Sequence, residues 1–233
     1  MKYLIVANGP FLPKSIILEA ASNATIIALD GAFHSLNYLN IQSDWIIGDF
    51  DSLILPIPPQ HKNKFISIHN QNLTDFQKAL IFCKEKNASS IHVVCALGGR
   101  MDHTQAALLT LQNAYNKSCP IYLHTEYHSL WIASNETITI QGRHHDYCGL
   151  FGAPYATMSV KNGGLEYGGL ESYELSSSQY SSSNRLIGNN NAIVEITGHA
   201  LIVHPPMLQA QRIFSQKSRV EQLTELLLQE GIT

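Results

Sequence analysis

The chain has 233 residues, 45% of them hydrophobic and only 14% charged, with a net charge of −3. That is enough apolar material for one large domain or two smaller ones, at a charge content below the roughly 25% of ordinary soluble proteins. No basic surface points to nucleic acid or an anionic membrane, so an anionic ligand needs local devices such as a metal ion or backbone amides.

The first half alternates two textures. "YLIVA" at 3–7 reads as a strand and "KSIILEAAS" at 14–22 as a helix, followed by the strand "TIIAL" and the helix "AFHSLNYL". Next come the strand-like "DWIIGDF" and "KFISIH", the helix "DFQKALIFCKEKN", the strand "IHVVCAL" and the helix "DHTQAALLTLQNAYN". Continuous β-branched runs between amphipathic helices predict a parallel sheet covered on both faces. Ligands of such sheets bind beyond the carboxyl ends of the strands. From about Ile121 the texture changes to "IYLHTE", "SLWIAS", "TITIQG", "TMSVKN", "AIVEIT" and "ALIVH", separated by Gly, Asn and Ser. These predict an all-β module, a sandwich or partial barrel. "SRVEQLTELLLQEG" has helical apolar spacing with a Gly stop. The expected division is an α/β domain over 1–127, a β-sandwich over 128–206 and a helical extension over 207–233. "LSSSQYSSSN" at 175–184 suits either a flexible linker or a structured loop within the β module.

Cys83, Cys95, Cys119 and Cys148 show no C-x-x-C spacing, which favours reduced core residues over zinc or a disulfide framework. The apolar start of the chain is too short for a signal-peptide core. No stretch approaches the ~20 apolar residues of a membrane span. The expectation is a cytoplasmic protein.

Acidic residues are distributed unevenly. Six of the seven Asp but only two of the eleven Glu precede His103. Short, stiff Asp at strand ends and helix starts suits metal and phosphate binding, or helix capping. Asp30 ends the strand "TIIALD" and is either a site residue or the cap of the following helix. Asp49 and Asp51 flank Phe50 after an apolar run; if extended, both face one side, roughly 6–7 Å apart. Two carboxylates ~6.5 Å apart repel by about 2.5 kcal/mol at an effective dielectric of 20. A divalent cation reverses that penalty, and Mg²⁺ commonly takes one or two carboxylates together with substrate phosphates. The competing reading is a solvated turn. Thr74 and Asp75 open a helix as cap and first-turn acid, or contribute to a site. In "ALGGRMDHTQAA", Gly98 and Gly99 admit a ligand to the backbone, the helix N-terminus suits phosphate, and Arg100 adds a cation. Asp102 with Gln105 alternatively forms a capping-box-like pair. The histidines, including His144 and His145, lack metal spacing and read as structural or surface residues.

In order, "ALDGAF", "SDWIIGDFDS", "NQNLTDFQKAL", "ALGGRMDHT", "GLEY" and "SSSNRLIG" resemble the thiamine pyrophosphokinase family across about Met1 to His204. "IIGDFDS" with downstream "TDF" and "GGRMDH" makes the resemblance specific. It implies an N-terminal Rossmann-like domain binding ATP and Mg²⁺, a C-terminal β-sandwich, and a homodimer holding thiamine between subunits. On that resemblance Asp49, Asp51 and Asp75 organise Mg²⁺ and the triphosphate. Asp30, Gln71, Thr74, Gly98, Gly99, Arg100 and His103 line the nucleotide, with Asp102 at the transfer site and Ser183 and Asn184 facing thiamine. The chain departs from the family pattern at Ala32, His34, Asn70, Asn72 and Val203. The loss of acids at Asn70 and Asn72 bears on how many metal ions bind.

The implied reaction is attack by thiamine's hydroxyl on the β-phosphorus of ATP with AMP leaving, and either Asp75 or Asp102 accepts the proton. A pyrophosphokinase for another alcohol, such as a pterin, and a non-catalytic nucleotide or thiamine sensor are the alternatives.

Overall fold

A computed structural model describes residues 1–49, 64–167, 171–189, 191–217 and 219–229. Asp51, one of the predicted metal ligands, lies outside these residues. Two compact units are resolved, Met1–Glu126 with Leu208–Thr233, and Tyr127–Met207.

In the first unit, β1 (Lys2–Val6), β2 (Ala24–Leu29), β3 (Trp45–Gly48), β4 (Phe65–Ser67), β5 (Ser90–Val94) and β6 (Ile121–His124) are linked by parallel pairing in the order β6-β5-β1-β2-β3-β4. The helices are α1 (Lys14–Ala20), α2 (Ala32–Tyr38), α3 (Asp75–Glu85), α4 (Met101–Asn113), α5 (Gln209–Gln216) and α6 (Arg219–Gln229). Alternate strand residues explain why two helical layers are needed. Leu4, Val6, Ala28, Ile46 and Val94 join one core with residues of α1 and α2 and Phe214 of α5. The intervening Ile5, Ile27, Ile47 and Val93 have no exposure either, and α3 packs along β1, β2 and β3. Each such buried aliphatic side chain contributes about 1.5–3 kcal/mol. Helix α5 is tied in by Glu19, whose carboxylate accepts the N–H groups of Gln209 and Ala210.

The chain lays down β1 to β4 in one direction and then returns to place β5 on the other side of β1. β1 and β5 therefore flank the switch in strand order, and ligands of such sheets bind in the crevice beyond the carboxyl ends of the strands there.

The second unit is antiparallel: β7 (Ser129–Gln141), β8 (Tyr147–Val160), β9 (Tyr173–Leu175), β10 (Ser181–Arg185) and β11 (Asn191–His204). The order is β10-β8-β11-β7, with β9 also paired to β8. Segments that read as separate short strands in sequence are continuous here. "SLWIAS" and "TITIQG" are both β7, and "AIVEIT" and "ALIVH" are both β11. The register shifts between Ile196 and His199, where the Asn135 side chain accepts the Gly198 N–H at 2.9 Å. A bulge of this kind bends a strand without ending it. Ser181–Ser183 form part of β10, so this half of the Ser-rich run is ordered sheet.

Candidate active site

Asp30 follows β2 directly. Its N–H extends the β2–β3 pairing to the Ile47 carbonyl at 3.1 Å, and its own carbonyl accepts the Phe33 N–H at 3.2 Å. The residue therefore sits at the corner between strand and helix, buried, with φ at +34°. Gly31 occupies the N-cap position of α2 without a side-chain cap, so the capping alternative for Asp30 does not hold. Gly48 ends β3 beside it; a Cβ there would come within 3.0 Å of the Asp30 Cβ. Glycine at this position lets the corner close against β3.

Asp49 follows Gly48. Asp75 opens α3, which Thr74 caps: its hydroxyl accepts the Gln77 N–H at 3.3 Å while its own N–H donates to Gln77 Oε1 at 2.9 Å. Thr74 is thus a helix cap, and capping is what orients Asp75. Asp30, Asp49 and Asp75 each present a carboxylate oxygen within 4.8 Å of the others. The observed neighbours of Asp49 come from other elements, a juxtaposition that no D-x-D spacing encodes.

Three carboxylates this close repel by about 3.5 kcal/mol per pair at an effective dielectric of 20. Lys78, one turn into α3 and 2% exposed at its side chain, lies 2.8 Å from Asp75 Oδ1 and 3.6 Å from Asp49 Oδ2. Burial alone drives its ammonium toward neutrality. Asp75 and then Asp49 outweigh that burial, and the net shift is upward, so the charge is retained. Gln71 Nε2 donates to Asp49 Oδ2 at 3.2 Å. One ammonium against three carboxylates leaves a formal deficit of positive charge. Sequence reading missed Lys78, although an Asp and a Lys three apart in an apolar helix was the available signal.

The loop after β5 holds the second group of predicted residues. Gly98 and Gly99 have φ of +89° and +68°, and the Gly98 N–H donates to Thr104 Oγ1 at 3.0 Å. Cβ atoms at both glycines would lie 3.3–3.4 Å from Pro10, so this loop meets the one after β1. Arg100 donates through Nε and Nη2 to the two oxygens of Asp102 at 3.1 and 2.6 Å. Asp102 is therefore an ion-pair partner, not a cap. The guanidinium hydrogen bond holds its carboxyl down at about 2. Both side chains are largely exposed, as is His103. Asn8, which sequence reading also passed over, places its side chain against Gly31.

In the second unit Asn184 is fully buried. Its Oδ1 accepts the Tyr167 and Arg185 N–H groups at 3.2 and 2.9 Å, and its Nδ2 donates to Ser181 Oγ at 2.9 Å. Its amide is engaged in holding Tyr167 and β10 in place. Ser183 is exposed with φ at +56°.

Residues 18–123 match the family model described as thiamin pyrophosphokinase, catalytic domain. The chain is 29% identical over 104 residues to thiamin pyrophosphokinase 1 of Caenorhabditis elegans, a stretch covering 41% of this chain and 42% of that protein. Among solved structures it is similar to the Geobacillus thermodenitrificans thiamin pyrophosphokinase, with a TM-score of 0.71, 19% identity and coverage of 90% of this chain and 100% of the other. For the Candida albicans enzyme the values are 0.67, 20%, 88% and 90%. At these identities the structural likenesses establish the mixed α/β fold. The likeness to the thiamin pyrophosphokinase catalytic domain thus lies in the segment 18–123, just under half of the chain.

Proposed function

We propose that the protein transfers a pyrophosphate group from ATP to the hydroxyl of thiamine, giving thiamine diphosphate and AMP. The observation that carries this reading is the convergence of Asp30, Asp49 and Asp75 at the carboxyl edge of a parallel sheet, within a segment matching the catalytic-domain family. The hydroxyl oxygen forms a bond to the β-phosphorus, the bond to the α,β-bridging oxygen breaks, and the hydroxyl proton passes to a carboxylate, Asp75 or Asp102. Transfers of this type depend mainly on positioning and on neutralising charge.

The donor set suits Mg²⁺: hard carboxylate oxygens, close together, with no Cys or His among the three. Asp49 and Asp75 with Asp51 and Asp30 would hold it, and the ion would supply positive charge to the phosphates. Lys78 restrains Asp49 and Asp75 so that their oxygens keep one orientation. Gln71 steadies Asp49, and Thr74 holds the start of α3. Gly98, Gly99, Arg100 and His103 border the nucleotide at the crevice, where Arg100 offers a fixed cation already oriented by Asp102. On the same reading the first unit is Rossmann-like and the second a β-sandwich whose Ser183 meets thiamine, with Asn184 fixing the neighbouring backbone. The working form is a cytoplasmic homodimer.

The test is mass-spectrometric detection of thiamine diphosphate and AMP from ATP, Mg²⁺ and thiamine. Formation of both products in equal amounts is expected. Binding of ATP and thiamine with no product overturns the assignment in favour of a sensor.

A further inference from the structure

Away from the acidic corner, the first unit contains a cavity of about 850 Å³ between α3 and α4, at the amino ends of β5 and β6. Its apolar lining includes Leu80 of α3, Ile91 at the start of β5 and Ile121 at the start of β6, all buried. Because the sheet is parallel, this is the edge opposite the one where Asp30 and Asp49 lie. The volume falls within the range of small-molecule sites, which are mostly apolar with a few placed polar groups.

The charged groups at its mouth are of one sign. Lys84 and Lys117 both line it, and no Asp or Glu is among the described lining residues. In a chain with 18 acidic and 15 basic residues, that runs against the overall balance. Neither ammonium has an ion-pair or hydrogen-bond partner among the described residues. A lysine in the last turn of a helix ordinarily serves the terminal carbonyls. At the end of α3 the backbone does this instead. The Cys83 and Lys84 carbonyls accept the Ala88 and Asn87 N–H groups at 3.0 Å, with Asn87 at a φ of +54°. Lys117 is carried by a fixed turn, in which Asn116 Oδ1 accepts the Ser118 N–H at 2.9 Å and the Asn116 carbonyl accepts the Cys119 N–H at 3.0 Å. Two elements thus bring unanswered positive charge to the rim of one apolar hollow.

We infer that this cavity is a second ligand site, taking a small molecule with an apolar ring body and one anionic group of the sulfonate, carboxylate or phosphate type. The body covers the Leu80, Ile91 and Ile121 floor, and the anion reaches the ammoniums at the mouth, where opposite charge sets its orientation. A neutral ligand leaves both cations unanswered, and a bare inorganic anion leaves the floor uncovered. The site requires no assumption about the reaction at the acidic corner. One helix nonetheless serves both, with Asp75 in the first turn of α3 and Lys84 in the last.

The probe is anilinonaphthalene sulfonate, compared with phenylnaphthylamine, which has the same rings without the charge. Fluorescence titration of the full chain is expected to give one saturable site for the sulfonate, about tenfold tighter than for the amine. Lys84→Gln combined with Lys117→Gln should remove that difference. Ala114→Trp, which fills the cavity from the end of α4, should weaken both probes. Cys119 locates the ligand, because it lines the cavity and is the one cysteine of the four that is not buried. Peptide mass spectrometry should show the bound sulfonate slowing its alkylation by iodoacetamide about fivefold. Unchanged Cys119 alkylation at saturation overturns the assignment, as does an undiminished preference for the sulfonate in the double lysine variant. Both lysines are exposed, so that variant keeps the fold; should Ala114→Trp fail to fold, the lysine variant and the Cys119 rate decide.

Discussion

Two acidic groupings stand at strand ends of the same sheet, and they are stabilised in opposite ways. Asp30, Asp49 and Asp75 come together from different parts of the chain, and Asp49 and Asp75 share one buried ammonium. Arg100 and Asp102 are two residues apart, mutually satisfied and largely in water. The first arrangement is costly without a further cation, because carboxylates withdrawn from solvent repel strongly. The second costs little and stabilises little, since solvent screens an exposed pair. Concentrated, under-neutralised charge is what a transfer site for Mg²⁺-bound phosphates needs, whereas an exposed pair can turn toward a ligand.

The largest expected effect breaks the buried cluster. Asp49→Asn should lower turnover by about a thousandfold, roughly 4 kcal/mol of barrier, while folding stability holds or rises because repulsion is relieved. Steady-state assay beside thermal melting checks both halves, and an active variant removes Asp49 from the site. Lys78→Met does the reverse: it leaves two carboxylates without their ammonium and should lower unfolding free energy by about 3 kcal/mol in urea titration. If stability is unchanged, the cluster is not under electrostatic load. In the exposed pair, Asp102→Asn should leave the melting midpoint where it was and reduce turnover by about a hundredfold. A fall in stability with full activity would make the pair structural.

A third region shows burial answered by neutralisation instead of an opposite charge. His92 Nδ1 and His124 Nε2 lie 2.8 Å apart on β5 and β6. Burial chiefly, and then neighbouring positive charge, pushes His92 down to about 4 and His124 to about 3. An unfolded imidazole titrates near 6.5. Between pH ~6.5 and ~4 the unfolded chain therefore binds more protons, and stability falls as pH falls. Above that window these groups give no slope. His124→Gln should flatten the decline in melting midpoint between pH 6.5 and 4.5, and an unchanged slope would remove the pair as its cause.

Legibility in sequence differed between the two units. In the parallel unit, strand runs such as "YLIVA" and "TIIAL" are apolar throughout because both faces are covered, and Gly, Asn and Asp punctuate them. Such elements can be recognised one at a time. In the antiparallel unit, Asn135 and Gly198 read as strand breaks yet lie inside β7 and β11. A bulge uses the residue types of a turn, and only pairing with another strand tells them apart. The Tyr147–Val160 strand was seen only at its end for the same reason. The short α5 falls within the expected helical extension but shows no periodic pattern of its own, because its helical character rests on packing of Phe214 into the sheet core and on Glu19 capping from α1.

By itself the sequence determined the alternation of strands and helices, the change to β texture, and the family signature in "IIGDF", "TDF" and "GGRMDH". These are local properties, carried by periodicity and by residues adjacent in the chain. Tertiary structure decided which carboxylates meet, that Lys78 sits among them, that Asp102 pairs with Arg100 instead of capping α4, and that α3 and α4 border a cavity at the amino ends of β5 and β6. Each of these depends on where strand order reverses and on which side chains lose their water together. Burial and distance between elements are set by the whole packed chain, not by any one segment of it.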